Sequence, residues 1–522
     1  MTPFPSTRRP ASRRPARLAL EHLEDRATPA TAVYSPLTQT LFVTAGEGDR
    51  LTVAPVANKP VGYLTVTDTQ HTATVFNSDA ANQSVRNLVV KFGAAQSGGL
   101  TFNADARIGG SLKVSGATLT TIVNVLGSVG GNFLYTAAPT SGFDHVDVES
   151  SAQVAGNMTL NLGEGDNEVC LNGGLVRGNV LVTAGAGADH VHVTYSGDVT
   201  IGGSAAFRLG DGANTLLGEG LAHTVRVGAN FVYTGGAGID QFDLDGSGTA
   251  LAAGGMVRVT LGTPTAFDAN VAAFEALSAG RAMSFTGGLG SDTVTVSGAL
   301  SVGGGLSVAL GEGTNRFDTN LLGEGTNSIA RNFRYLGGAG TDTVLLDVAS
   351  VGRNANVTLG EGANQTLSVG GKGPTGVSIY GNLKVTGGSG VDNIGLQRLY
   401  VGGALTVQAG AGADAVLTDD IDVAGATRLN LGTGNDLFAL ETLAGLTRVS
   451  SFGGTFQVSA GAGDDAVNLS DDASTATCAR FGSRVMLAGG TGMDTVRNEA
   501  QNAFEVTGNQ SDFETKVGAA FI

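Results

Sequence analysis

The turn Gly-x-Gly-x-[Asp/Asn] recurs along this chain at least thirteen times, and each copy is followed by a few alternating apolar residues. Copies begin at Gly163, Gly185, Gly210, Gly236, Gly288, Gly311, Gly338, Gly360, Gly388, Gly410, Gly432, Gly461 and Gly490, mostly in steps of 22 to 29 residues. The one 52-residue step, from Gly236 to Gly288, contains a degraded copy at Leu261-Gly262-Thr263-Pro264. A period of this length, carrying short β-type segments and no helical pattern, specifies a repeat that buries its apolar face only against its neighbours. The expected fold is all-β: a parallel β-helix, or β-solenoid, with coils of about 22 to 29 residues.

Composition agrees where it bears on that choice. The 82 glycines do not recur every third residue, which excludes collagen, and 42% hydrophobic residues in runs such as Thr293-Val294-Thr295-Val296 exclude a disordered glycine-rich chain. In Val176 to Val193, two strand candidates of about four residues flank the turn Gly185-Ala186-Gly187-Ala188-Asp189, and a third short segment closes the coil. Alternation along the second strand sends Val191 and Val193 to the core and His190 and His192 to water. Residues 1–30 stand apart, 31–130 read as degenerate coils, 131–496 as the regular solenoid and 497–522 as a polar terminal cap, needed because an open coil end exposes core and strand edges.

The net charge is −16, and residues 1–30 hold six arginines against three acids, so the remainder carries −16 − 3 = −19. Such a surface disfavours nucleic acid and anionic membrane. The two cysteines, Cys170 and Cys478, lie several coils apart and form no disulfide framework. No run of 18 apolar residues exists to span a membrane as a helix.

The first thirty residues contain the basic stretch Arg8 to Arg17 and then Leu20-Glu21-His22-Leu23-Glu24-Asp25-Arg26. This resembles the LEPR-type sorting segment at the start of large secreted or surface proteins of some bacteria, and it implies a secreted or cell-surface location. A second resemblance is carried by Gly235-Gly236-Ala237-Gly238-Ile239-Asp240-Gln241-Phe242-Asp243, with matching segments at Gly287–Thr295, Gly337–Val344 and Gly489–Val496. These are similar to the nonapeptide of RTX, or haemolysin-type, proteins. The resemblance implies Ca2+ bound by turn carbonyls and by Asp189, Asp240, Asp292, Asp342, Asp392, Asp414, Asp436, Asp465 and Asp494. The longer coil departs from the family's 18-residue roll, leaving a ladder on one edge as the arrangement it implies.

The turns carry a physical argument of their own. Where the last position is Asn the second is acidic (Glu164 with Asn167, Asp211 with Asn214, Glu312 with Asn315, Glu361 with Asn364), and where it is Asp the second is neutral, as in Ala186 with Asp189. From Asp392 onward that alternation stops, and stacked carboxylates there favour a bound cation or protonation. Asp and Asn also close such turns unaided through Asx hydrogen bonds.

Aligning the turns sets Asp144-His145-Val146-Asp147 beside Asn167-Glu168-Val169-Cys170 and Asp189-His190-Val191-His192. With the valines inward, His145, Glu168 and His190 form one outer column and Asp147, Cys170 and His192 the next, a ligand set suited to zinc or another transition metal. Catalysis is not expected. Asp419-Asp420, Asp464-Asp465 and Asp471-Asp472 are adjacent and point to opposite faces, basic residues are scattered, and no Ser-His-Asp set, P-loop or Cys-x-x-Cys is present. The expected role is a non-catalytic, exported structural or adhesin-like β-solenoid of the bacterial surface or envelope. Its partners would be envelope or matrix components, or further copies associating laterally or end to end. The alternatives are a calcium-dependent RTX-like protein and a polysaccharide-processing β-helix enzyme.

Overall fold

The computed structural model describes residues 30–92, 97–138, 142–263, 269–319, 327–362, 365–370, 376–441, 449–469, 479–498, 503–504 and 508–518. The basic segment, Asn364, Asp471, Asp472 and Cys478 lie outside them.

One coil shows how the pattern winds. Met158–Asn161 forms a strand on a first face, the Gly163 turn follows, and Glu168–Leu171 forms a strand on a second face. A bend at Gly173, with φ +134°, leads into Gly174–Val176 on a third face, and the Gly178-Asn179 corner starts the next coil at Val180–Thr183. Within each strand alternate residues are buried: Met158 and Leu160 on the first face, Val169 and Leu171 on the second. Equivalent strands pair in parallel one coil apart, so Met158 lies over Val180, Ala205, Phe231 and Val257 in turn. The period-two alternation is therefore converted into a continuous apolar interior.

Among the described residues the first face is one 20-stranded sheet. The other two faces join into a single sheet because Asp392–Val401 and Ala415–Val423 run unbroken across the bend, which each rounds at a residue with positive φ, Arg398 at 47° and Asp420 at 53°. Aromatic rings contribute to the interior. Phe242 is fully buried, 4.9 Å from Phe274 and edge-on to Tyr233 at 5.4 Å between ring centroids.

The corners are tied by side chains as well as by the backbone ladders. At several corners before first-face strands, an asparagine accepts from the backbone of the next coil: Asn132 from Asn157 N–H at 2.9 Å, Asn157 from Asn179 at 2.8 Å, Asn179 from Ser204 at 2.8 Å. The series recurs at Asn354, Asn382 and Ala404. The glycine turns stack so closely that side chains are excluded. Gly432 has φ +112°, and a Cβ there would overlap the Gly410 carbonyl.

The ends differ from the middle. Thr31–Ser35 pairs antiparallel with Thr40–Thr44, and Arg50–Pro55, Leu64–Asp68 and Ala73–Asn77 form an antiparallel meander. It ends in a one-turn helix, Ser78–Ala81, whose first amides are capped by the Asn77 side chain. Parallel stacking on this beginning starts where Asn87–Lys91 joins Thr40–Thr44. At the other end, Gly508–Ser511 and Thr515–Gly518 continue the stack by pairing with Val485–Thr491 and Thr495–Asn498. Thus residues 31–130 combine an antiparallel cap with coils, and the tail beyond 497 supplies one more layer.

Candidate functional site

The last residue of each glycine turn and the core residue two positions later share a side of the strand, so the turn acids face inward. Asp189, Asp240, Asp292, Asp342, Asp392 and Asp494 are fully buried, and Asp414, Asp436 and Asp465 are no more than 2% exposed. Asn167, Asn214, Asn270, Asn315 and Gln365 occupy the same column. Gln365 rather than the expected Asn364 fills its coil, and Asn270 completes the turn that the degraded copy at Gly262 begins.

Most members bind the coil before them. The Asp144 N–H donates to Asn167 Oδ1 at 3.1 Å, Asn167 to Asp189 at 3.1 Å and Asp189 to Asn214 at 3.2 Å. The sequence resumes as Asp240 to Asn270 at 2.8 Å and Asp292 to Asn315 at 3.0 Å. The C-terminal run is wholly acidic: Asp392 to Asp414, Asp414 to Asp436 and Asp436 to Asp465, each at 2.8 Å, then Asp465 to Asp494 at 3.0 Å. Glu514 ends it by accepting from Asp494 N–H at 2.6 Å.

The amides of the column use both ends of their side chains. Asn315 donates to Gly311 O at 2.9 Å and to Asp342 Oδ1 at 3.0 Å, and Asn167 donates to Gly165 O and Asp189 Oδ1, each at 2.8 Å. Carboxyls cannot do this when ionised. The second oxygens of Asp189, Asp240, Asp342, Asp414, Asp436, Asp465 and Asp494 are buried without a hydrogen bond. Burial accordingly pushes the carboxyls of Asp189, Asp240, Asp342, Asp392, Asp414 and Asp465 up to about 6. Acids at the second turn position lie outside instead, where Glu164 accepts from Ala186 N–H at 2.8 Å and Asp211 from Ala237 N–H at 2.8 Å.

On the outer side of the second face, the register sets His145 beside Glu168 and His190, and Asp147 beside Cys170 and His192. Glu168 is the hub: Oε2 lies 2.9 Å from His145 Nδ1, and Oε1 lies 3.7 Å from His192 Nε2 and 3.6 Å from Cys170 Sγ. His145 Nε2 reaches Asp147 at 3.1 Å, and His192 Nδ1 turns to Glu219 at 2.7 Å. His190 is exposed and bonds Thr215 at 2.8 Å. His145, Glu168 and Cys170 offer ligand atoms within 4.8 Å of one another. The hydrogen bond that the His145 ring donates to Asp147 raises its pKa against the opposing effect of burial, while burial and then the charges of Asp147 and Glu168 push the Cys170 thiol up. Such a thiol binds a metal only by giving up its proton to solvent as the thiolate takes the ion. Glu219 was not among the expected residues because it follows its strand and reaches back one coil.

These features define a class: a three-faced parallel β-solenoid closed along one inner edge by an acid–amide column, with a half-buried His/Glu/Cys patch outside. Beyond that class, no protein-family model, curated protein or solved structure matches the chain. No helix among the described residues is long and apolar enough to cross a membrane.

Proposed function

We propose that the chain is a non-catalytic structural element of the bacterial surface or envelope, exported through its basic N-terminal segment and acting as an adhesin-like stalk or matrix rod. The observation that carries this reading is the uninterrupted stack. A 20-stranded face at about 4.8 Å per strand extends about 90 Å. The described coils share a core of packed apolar side chains, and their outer faces repeat from coil to coil, which suits many weak, equivalent contacts with envelope polymers or other copies. The test is surface accessibility in the producing cells. Biotinylation and protease shaving of intact cells should reach the full chain and miss a version lacking residues 1–30, and confinement of both to the cytosol would overturn the proposal.

A second reading, calcium-dependent folding, has one specific support: the buried oxygens of Asp414, Asp436, Asp465 and Asp494 that make no hydrogen bond. Six to eight oxygens are needed per ion, and each turn adds carbonyls to its carboxylate. It is distinguished from the first by whether chelation unfolds the chain.

A further inference from the structure

The inner column begins with a cluster unlike the rest. Asp49, at the end of the turn Gly46-Glu47-Gly48-Asp49, lies in register with Gly98, which is followed by Thr121 and Asp144. Above it the capping meander places Asp68, from the end of Leu64–Asp68, and His71, from the turn before Ala73–Asn77. Asp49 is fully buried, Asp68 is 1% exposed, and the His71 side chain is 35% exposed. His71 Nδ1 lies 2.5 Å from Asp68 Oδ2 and 3.2 Å from Asp49 Oδ1. The remaining carboxylate oxygens are held by backbone: Gly46 N–H donates to Asp49 Oδ2 at 2.5 Å and Gln70 N–H to Asp68 Oδ1 at 3.0 Å. Asp49 Oδ1 is left buried without a hydrogen bond, aimed at the other two groups.

We propose that Asp49, Asp68 and His71 form a divalent transition-metal site, of the zinc class, that clamps the N-terminal cap onto the first coil. Their ligand atoms all lie within 4.8 Å of one another, one imidazole nitrogen and carboxylate oxygens from two residues. Three protein ligands of this kind suit zinc with a fourth position left to water, and the partly exposed His71 is the side from which water and ion enter. Two buried carboxylates beside a single imidazole carry an uncompensated negative charge, which a divalent cation removes. The backbone bonds from Gly46 and Gln70 supply the supporting shell that orients ligating carboxylates. The site differs from the Glu168 patch in containing no thiol and in joining residues of a turn and a meander rather than of successive coils.

Equilibrium dialysis of zinc against the chelator-stripped full chain tests this. Controls carry His145→Ala and Cys170→Ser together, which disables the outer patch. Zinc should bind the wild type and this control, and His71→Gln or Asp68→Asn should weaken binding in the control by more than the roughly 10- to 100-fold that loss of a mere supporting partner costs. Cobalt in the control should bind without a thiolate charge-transfer band. His71 is partly exposed on a turn, so His71→Gln keeps the test available if Asp68→Asn perturbs folding by circular dichroism. Absence of zinc binding in the control, or undiminished binding in His71→Gln, would overturn the assignment.

Discussion

Replacing Asp414 by Asn should stabilise the protein at neutral pH and much less in acid. Asp414 Oδ1 accepts from Asp392 N–H at 2.8 Å, its own N–H donates to Asp436, and its Oδ2 is buried without a partner. Asparagine keeps the acceptor and places an NH2 where the bare oxygen was. Asn315 shows where such a group goes, to the carbonyl four residues earlier, which here is Gly410. Burial pushes the Asp414 carboxyl from 3.8 up to about 6, with the Asp392 amide opposing and the Asp392 charge adding. Because the folded value is the higher one, the carboxyl's contribution to stability is full below pH 3.8 and is lost as pH rises through about 6. The gap is worth roughly 3 kcal/mol at most, about half that once water near the turn screens it, and the new hydrogen bond adds about 1 kcal/mol. The expected gain is thus about 1.5–3 kcal/mol near pH 7.5, with the ionisation part absent near pH 4. A solenoid this long need not unfold in one step, so the assay is hydrogen exchange of the segment holding the Asp392 amide. Exchange should slow about tenfold for each 1.4 kcal/mol, at neutral pH far more than in acid. Faster exchange at neutral pH, or an equal effect at both, would refute the inward, ionisation-penalised column.

Three further outcomes follow from the same packing. Gly432→Ala should destabilise by roughly 2–4 kcal/mol, combining positive-φ strain with displacement of the Gly410 carbonyl, and the loss should appear as faster exchange in the Gly410 and Gly432 turns. Phe242→Ala should cost about 3–5 kcal/mol, read as a lowered unfolding midpoint, because it empties space between Phe274 and Tyr233. Cys170 should alkylate slowly near pH 7.5 by peptide mass spectrometry, and faster in Glu168→Gln, since burial and the two neighbouring carboxylates disfavour its thiolate.

The coil, its period and its outer columns were legible because each rests on local chemistry. Glycines at fixed spacing mark the turns, and valines at alternate positions set which side faces in, so His145, Glu168 and His190 are found in register. The direction of the turn acids was also present in the sequence: Asp189, Val191 and Val193 are two apart and must share a side, yet polar residues beside glycine turns suggest an outer edge. Gln365 escaped because it lies one position past the Asn364 that the glycine spacing marks. The antiparallel meander was not legible, since Leu64–Asp68 and Ala73–Asn77 alternate like coil strands and only the glycine-free turn Thr69-Gln70-His71-Thr72 distinguishes them. That turn, with Thr72 at φ 53°, is what brings His71 to Asp49, a contact no spacing announces.

The central claim is that the stacked turns close on their own hydrogen bonds, most of the column's carboxyls and amides holding the coil before them. It is tested most directly by circular dichroism and thermal unfolding of the chelator-stripped chain with and without millimolar calcium. The account predicts the same β-content and the same midpoint for the main transition in both. A large calcium-dependent gain in either would contradict it and make Asp392, Asp414, Asp436, Asp465 and Asp494 a metal-filled column.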